Sequence, residues 1–63
     1  MKEWTCVCIK SLGDKSKYMF IPRHEYQVDI YPLYYKVYAN GEWNDYEYFN
    51  EDEFSEYFKL IEF

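Results

Sequence analysis

The 63-residue chain has little of several things that chemistry needs. It holds two glycines, Gly13 and Gly41, so no glycine-rich loop exists to cradle a phosphate. It holds one histidine, His24, in "PRHEY", and no nucleophile stands in a recognisable pattern with a base. The expectation is therefore a protein that is not an enzyme, with no cofactor and no catalytic residues. There are two cysteines, Cys6 and Cys8 in "WTCVCIK", and His24 lies far from them in sequence, which leaves a metal site short of ligands. Residues two apart on a strand point the same way with Cα atoms roughly 6.5–7 Å apart, at or beyond the reach of a disulfide. Two free thiols fit a reducing compartment. No run approaches the roughly 18 apolar residues of a membrane span, and charge interrupts the opening "MKEWTCVCIKSLGDK", unlike a signal peptide. The expected location is the cytoplasm.

What the chain has in abundance is aromatic rings and carboxylates. Two Trp, nine Tyr and five Phe make up 25% of the residues. A domain this short buries only about 60% of its unfolded surface. Large rings, each burying roughly 150–250 Å², build a core where space is scarce, and Tyr keeps a polar tip for the rim. One domain, residues 1–63, is the expectation.

Trp4–Ile9 reads as a strand, with Thr5, Val7 and Ile9 on one face and Trp4, Cys6 and Cys8 on the other. A long irregular excursion follows, turning near Gly13 and tucking Tyr18, Phe20 and Ile21 inward; loops of this length often carry function. "EYQVDIYP" alternates: Tyr26, Val28 and Ile30 face one way, Glu25, Gln27 and Asp29 the other. Asn40-Gly41 is a hairpin signal joining Tyr34–Ala39 to Glu42–Phe49. Tyr35 and Val37 should face the core, and Tyr34, Lys36 and Tyr38 the outside. On the second arm Tyr46 and Tyr48 share a face, and a bulge that shifts register is one option. Asn50 with Glu53 three residues later forms a capping-box pattern, so a short helix is expected over about residues 51–57, with Phe54, Tyr57 and Phe58 on one side. "KLIEF" is a candidate final strand.

This order of strand, long loop, three strands, helical turn and last strand resembles the Src-homology-3-like small barrel. The pattern "CVCIK…EYQVDIYPLYYKVYANGEWNDYEYFNEDEF" also looks like very small proteins encoded by bacteriophages of Gram-positive bacteria, which are accessory or host-directed. The resemblance implies a mainly β, five-stranded barrel and no catalytic residues.

Charge is unevenly distributed. Residues 32–63 hold eight acids and only Lys36 and Lys59, and the formal net charge of −5 arises there. Glu42, Asp45, Glu47, Glu51, Asp52, Glu53 and Glu56 lie within fifteen residues. Such a surface repels phosphate backbones and anionic membranes, so neither direct nucleic-acid binding nor membrane binding is expected. The acids at 51–53 lack a calcium-loop pattern and suit the start of a helix. Their simplest role is to keep an aromatic-rich domain soluble.

The leading functional expectation is a non-catalytic acidic binder, a phage inhibitor docking those seven acids, with Tyr46, Tyr48 and Tyr57 as anchors, on a basic host protein that handles nucleic acid or defends the cell. The rival is a peptide-binding or self-associating module using Tyr34, Lys36 and Tyr38, with Trp4 or Trp43, and a homodimer is compatible with it. A pocket for a small signalling ligand, lined by Lys15, Lys17 and Arg23, is a third option.

Overall fold

The computed structural model describes residues 4–39 and 44–61. Five strands, β1 (Trp4–Cys8), β2 (Glu25–Ile30), β3 (Tyr35–Tyr38), β4 (Tyr46–Phe49) and β5 (Phe58–Ile61), form one sheet in the order β4-β3-β2-β1-β5. Every neighbouring pair is antiparallel. A helix, α1 (Glu51–Tyr57), joins β4 to β5, and a single 3-10 turn occupies Gly13–Lys15. Gly13 takes a φ of 58°, the left-handed conformation that glycine adopts without a Cβ penalty. Among the described residues β4 and β5 do not pair, so the sheet is open.

The one-residue alternation of the strands decides the two faces. The register Cys6↔Leu60, Cys8↔Phe58, Val28↔Val37 and Tyr35↔Phe49 puts apolar side chains in line across the sheet's inner face. Cys6, Cys8, Val28, Val37, Phe49 and Phe58 are all buried there. No bulge interrupts β4, which pairs with β3 from Tyr38↔Tyr46 to Tyr35↔Phe49. The Asn40-Gly41 turn, Glu42 and Trp43 lie outside the described residues; the nearest described contact is the Ala39 N–H donating to the Asp45 carbonyl at 2.7 Å.

α1 is set by its ends. Asn50 Oδ1 accepts from the Glu53 N–H at 2.8 Å, and the Glu53 carboxylate accepts from the Asn50 N–H at 3.2 Å. This is the reciprocal box that the spacing predicts, and it satisfies donors a helix start leaves open. At the other end the Phe58 N–H donates to the Phe54 carbonyl, and the chain goes straight into β5. Phe54, Tyr57 and Phe58 are buried together.

The long segment between β1 and β2 is part of the core. Leu12 and Phe20 are buried. The Phe20 ring meets Tyr26, Phe58 and Phe49 edge-on, with centroids 5.1, 5.3 and 6.1 Å away. Such edge-to-face contacts add to the area buried. One expectation for this side of the molecule fails: Ile21, placed inward by the sequence, is exposed. Ile30 keeps the face it shares with Val28, opposite Tyr35, but is exposed at the end of β2. Tyr26 uses its hydroxyl to accept from the Ile21 N–H at 2.7 Å, so the segment is tied by Ile21's backbone rather than its side chain.

Candidate functional site

The outer face of β2, β3 and β4 carries a cluster of polar and aromatic side chains. Lys36 stands opposite Tyr48 and Asp29, and Tyr38 stands opposite Tyr46. Strand parity therefore brings Asp29, Lys36, Tyr38, Tyr46 and Tyr48 to one side. The Tyr38 hydroxyl donates to Asp29 Oδ2 at 2.6 Å. Asp29 is only 6% exposed although it faces away from the main core, and this bond is what its burial requires. The bond to Asp29, followed by burial, pushes the Tyr38 phenol above its ordinary range.

Lys36 bridges the rings. Its Nζ lies 4.2 Å from the Tyr46 centroid and 5.1 Å from that of Tyr38. A cation over aromatic faces is attracted by the ring quadrupole. The hydrogen bond with Tyr38 holds the Lys36 ammonium above its usual range. Beyond it, Tyr46 and Tyr48 meet at 5.3 Å, Tyr48 meets Tyr34 edge-on at 4.8 Å, and Tyr34 stacks on Tyr31 at 4.8 Å. The last pair is made by a tight turn, in which the Tyr31 N–H donates to the Tyr34 carbonyl at 3.0 Å. Burial first, and then its bond with Tyr46, raises the Tyr48 phenol. Tyr48 remains 51% exposed, Tyr34 37%, and Leu33 at the turn tip 86%. A shallow open groove of about 340 Å³ runs beside β4, lined by Lys17, Tyr18, Asn44, Tyr46, Glu47 and Tyr48.

The acids that sequence grouped together are placed in different surroundings. Glu47 faces the opposite side of β4 from Tyr46 and Tyr48, and its carboxylate accepts from the Ser16 hydroxyl. Asp45 is half-buried where β4 begins. Glu51, Asp52 and Glu53 are exposed in the first turn of α1, with Glu53 engaged in the cap. Glu56 pairs with Lys10 at 3.2 Å. That contact, with help from Tyr57, holds its carboxyl below the ordinary range. Glu42 is outside the described residues. Tyr57 is buried, with Lys10 and Lys15 each 5.5 Å from its ring centroid, so its ring is covered by the protein's own lysines.

The three cations of the suggested small-ligand pocket do not converge. Lys15 lies over Tyr57 and Lys17 over Tyr18, while Arg23 sits at a left-handed turn with φ 74°. His24 is exposed, and its carbonyl accepts from the Cys8 N–H at 3.0 Å. Trp4 packs half-buried against the core. Cys6 and Cys8 are both free and buried. Among the described residues no group of three or more potential metal ligands occurs, and no helix is long and apolar enough to cross a membrane.

Two members of this face, Asp29 and Tyr31, carry little signal in the sequence. Asp29 alternates with the apolar residues of β2 like any outward acid. Tyr31 offered one signal, its spacing of three from Tyr34 across Pro32, which is a turn spacing. Comparison with family models, with curated proteins and with solved structures finds no match for the chain.

Proposed function

We propose that the chain is a non-catalytic protein-binding domain whose contact surface is the tyrosine-rich outer face of β3 and β4, centred on Tyr34, Lys36, Tyr46 and Tyr48. The observation that carries this reading is the continuous run of ring contacts from Tyr31 through Tyr34 and Tyr48 to Tyr46. Rings held in this way lose little freedom on binding, and Tyr is among the residues that dominate interface energetics. Lys36, whose ammonium lies over the Tyr46 ring, supports the same reading by adding a cation to the aromatic face. The strand order, with β1 between β2 and β5 and a helix before the last strand, is compatible with an open form of a Src-homology-3-like barrel.

Alanine at Tyr34 and Tyr48 tests the reading. The expected result is loss of a captured partner at unchanged circular dichroism, with capture persisting in high salt as apolar docking does. Retained capture in both variants overturns it. Sedimentation at rising concentration separates self-association from a foreign partner.

A second reading, docking on a basic host protein through acids, is supported by Glu51 and Asp52, which are exposed. It predicts salt-sensitive capture that is lost in Glu51→Lys/Asp52→Lys and kept in Tyr48→Ala.

A further inference from the structure

We infer that the free edge of β5, with the apolar groove beside it, takes an extended segment of another protein by strand addition, one apolar side chain entering the groove and a Lys or Arg lying toward Glu51 and Asp52. This surface is separate from the tyrosine face and gives the acidic helix start a specific use.

Among the described residues the edge is open by register. The Ile9 N–H donates to the Tyr57 carbonyl at 2.8 Å. In an antiparallel ladder hydrogen-bonded pairs alternate with non-bonded ones. Val7↔Lys59 and Thr5↔Ile61 continue the bonded set, whereas Cys8↔Phe58 and Cys6↔Leu60 fall between. The main-chain groups of Phe58 and Leu60 therefore point away from β1. The Phe58 N–H is taken by Phe54, which leaves the Phe58 carbonyl and both groups of Leu60 facing outward. A second strand would meet one donor flanked by two acceptors, which is the pattern that strand addition uses. Unpaired edges of this kind attract other chains.

Specificity comes from what flanks the edge. A groove of about 360 Å³ is lined by the apolar Ile9, Tyr35, Phe54, Phe58 and Leu60 together with Ser55 and Lys59. Ile9 is exposed in the free protein, so an apolar side chain placed there would remove it from water. Along α1, Ser55 lies four residues after Glu51 and three after Asp52, so the two acids share its side of the helix one turn away. Both are exposed, and among the described residues neither is in an ion pair. A cation on the bound segment would find them uncompensated, within a chain of net charge −5. Lys59, also in the lining, disfavours a second cation beside it, so the segment should carry its positive charge at one end only.

The probe is a blocked octapeptide of alternating Val and Thr ending in two lysines, compared with a twin ending in two glutamates. Titration into the labelled full chain is followed by amide chemical shifts. Binding of the lysine peptide should move Ser55, Lys59 and Leu60. The glutamate twin and the Glu51→Lys/Asp52→Lys variant should each bind about tenfold more weakly, from the loss and reversal of two exposed pairs. Ile9→Ser should weaken binding of either peptide, and Tyr48→Ala should leave it unchanged. No shift at β5 with millimolar lysine peptide overturns the inference, as does equal binding of the two peptides. Shifts at β5 that grow with protein concentration alone overturn it too, because the edge is then filled by a second copy. Charge-dependent binding with shifts confined to α1 sinks the strand addition and leaves the acidic reading standing.

Discussion

At the residue scale, single buried polar groups set the sensitivities. Cys6 has no exposure, and its thiol is pushed from 9.0 up to about 12, by burial first and by neighbouring Cys8 second. Burial also raises Cys8. The folded state thus keeps a proton that the unfolded chain gives up. The Cys6 contribution to stability is complete below pH 9.0 and is lost as pH rises toward about 12. Urea midpoints measured between pH 8 and 11 should fall with pH, and should fall less steeply in Cys6→Ala. A thiol reagent at neutral pH should modify neither cysteine until the chain unfolds, because the nucleophile is the thiolate. The Asp29–Tyr38 bond makes a second test. Tyr38→Phe leaves a buried carboxylate without that donor and should destabilise by about 1–3 kcal/mol in denaturant melts.

At the element scale, α1 shows how much a short segment states about itself. Asn50, the acids after it and the spacing of Phe54 and Tyr57 contain the start, the dipole match and the buried side, and the helix spans the expected residues. Asn50→Ala should cost about 1 kcal/mol by chemical denaturation, the ordinary worth of an N-cap. Strand parity was equally legible: Tyr35 and Val37 face in, and Tyr46 and Tyr48 share the other side, because alternation is a local property of an extended chain. What parity does not state is exposure. Ile30 sits on the apolar parity of β2 and is exposed, whereas Tyr38 faces outward and is buried. Each outcome depends on what neighbouring elements lay over it.

At the scale of the whole molecule, stability rests on few side chains, since 63 residues cannot bury many. Phe20 is the clearest case. It belongs to the long segment between β1 and β2, yet its ring touches Tyr26, Phe49 and Phe58 from three different strands. Phe20→Ala should cost about 3–5 kcal/mol, much of what so small a domain has, and thermal melts should show a chain largely unfolded at 37 °C. The same mutation in a loop serving only ligand binding would leave the melt unchanged. Electrostatics also belongs to this scale. The acids of residues 42–56 crowd together in sequence, but the folded chain turns Glu47 toward Ser16, caps α1 with Glu53 and pairs Glu56 with Lys10. Charge-reversal at Glu56 should therefore act mainly on the Lys10 contact.

The sequence by itself determined the order of five strands and one short helix, the parity of the strands and the helix cap, because each follows from contacts between residues near one another in the chain, and its composition set the aromatic character of the core. Only the tertiary structure decided which tyrosines form a face, which acids stay uncompensated and that Phe20 fills the interior. Those outcomes depend on pairings such as Lys36↔Tyr48 and Lys10–Glu56, where the partners are 12 and 46 positions apart, and local periodicity carries no information over such separations.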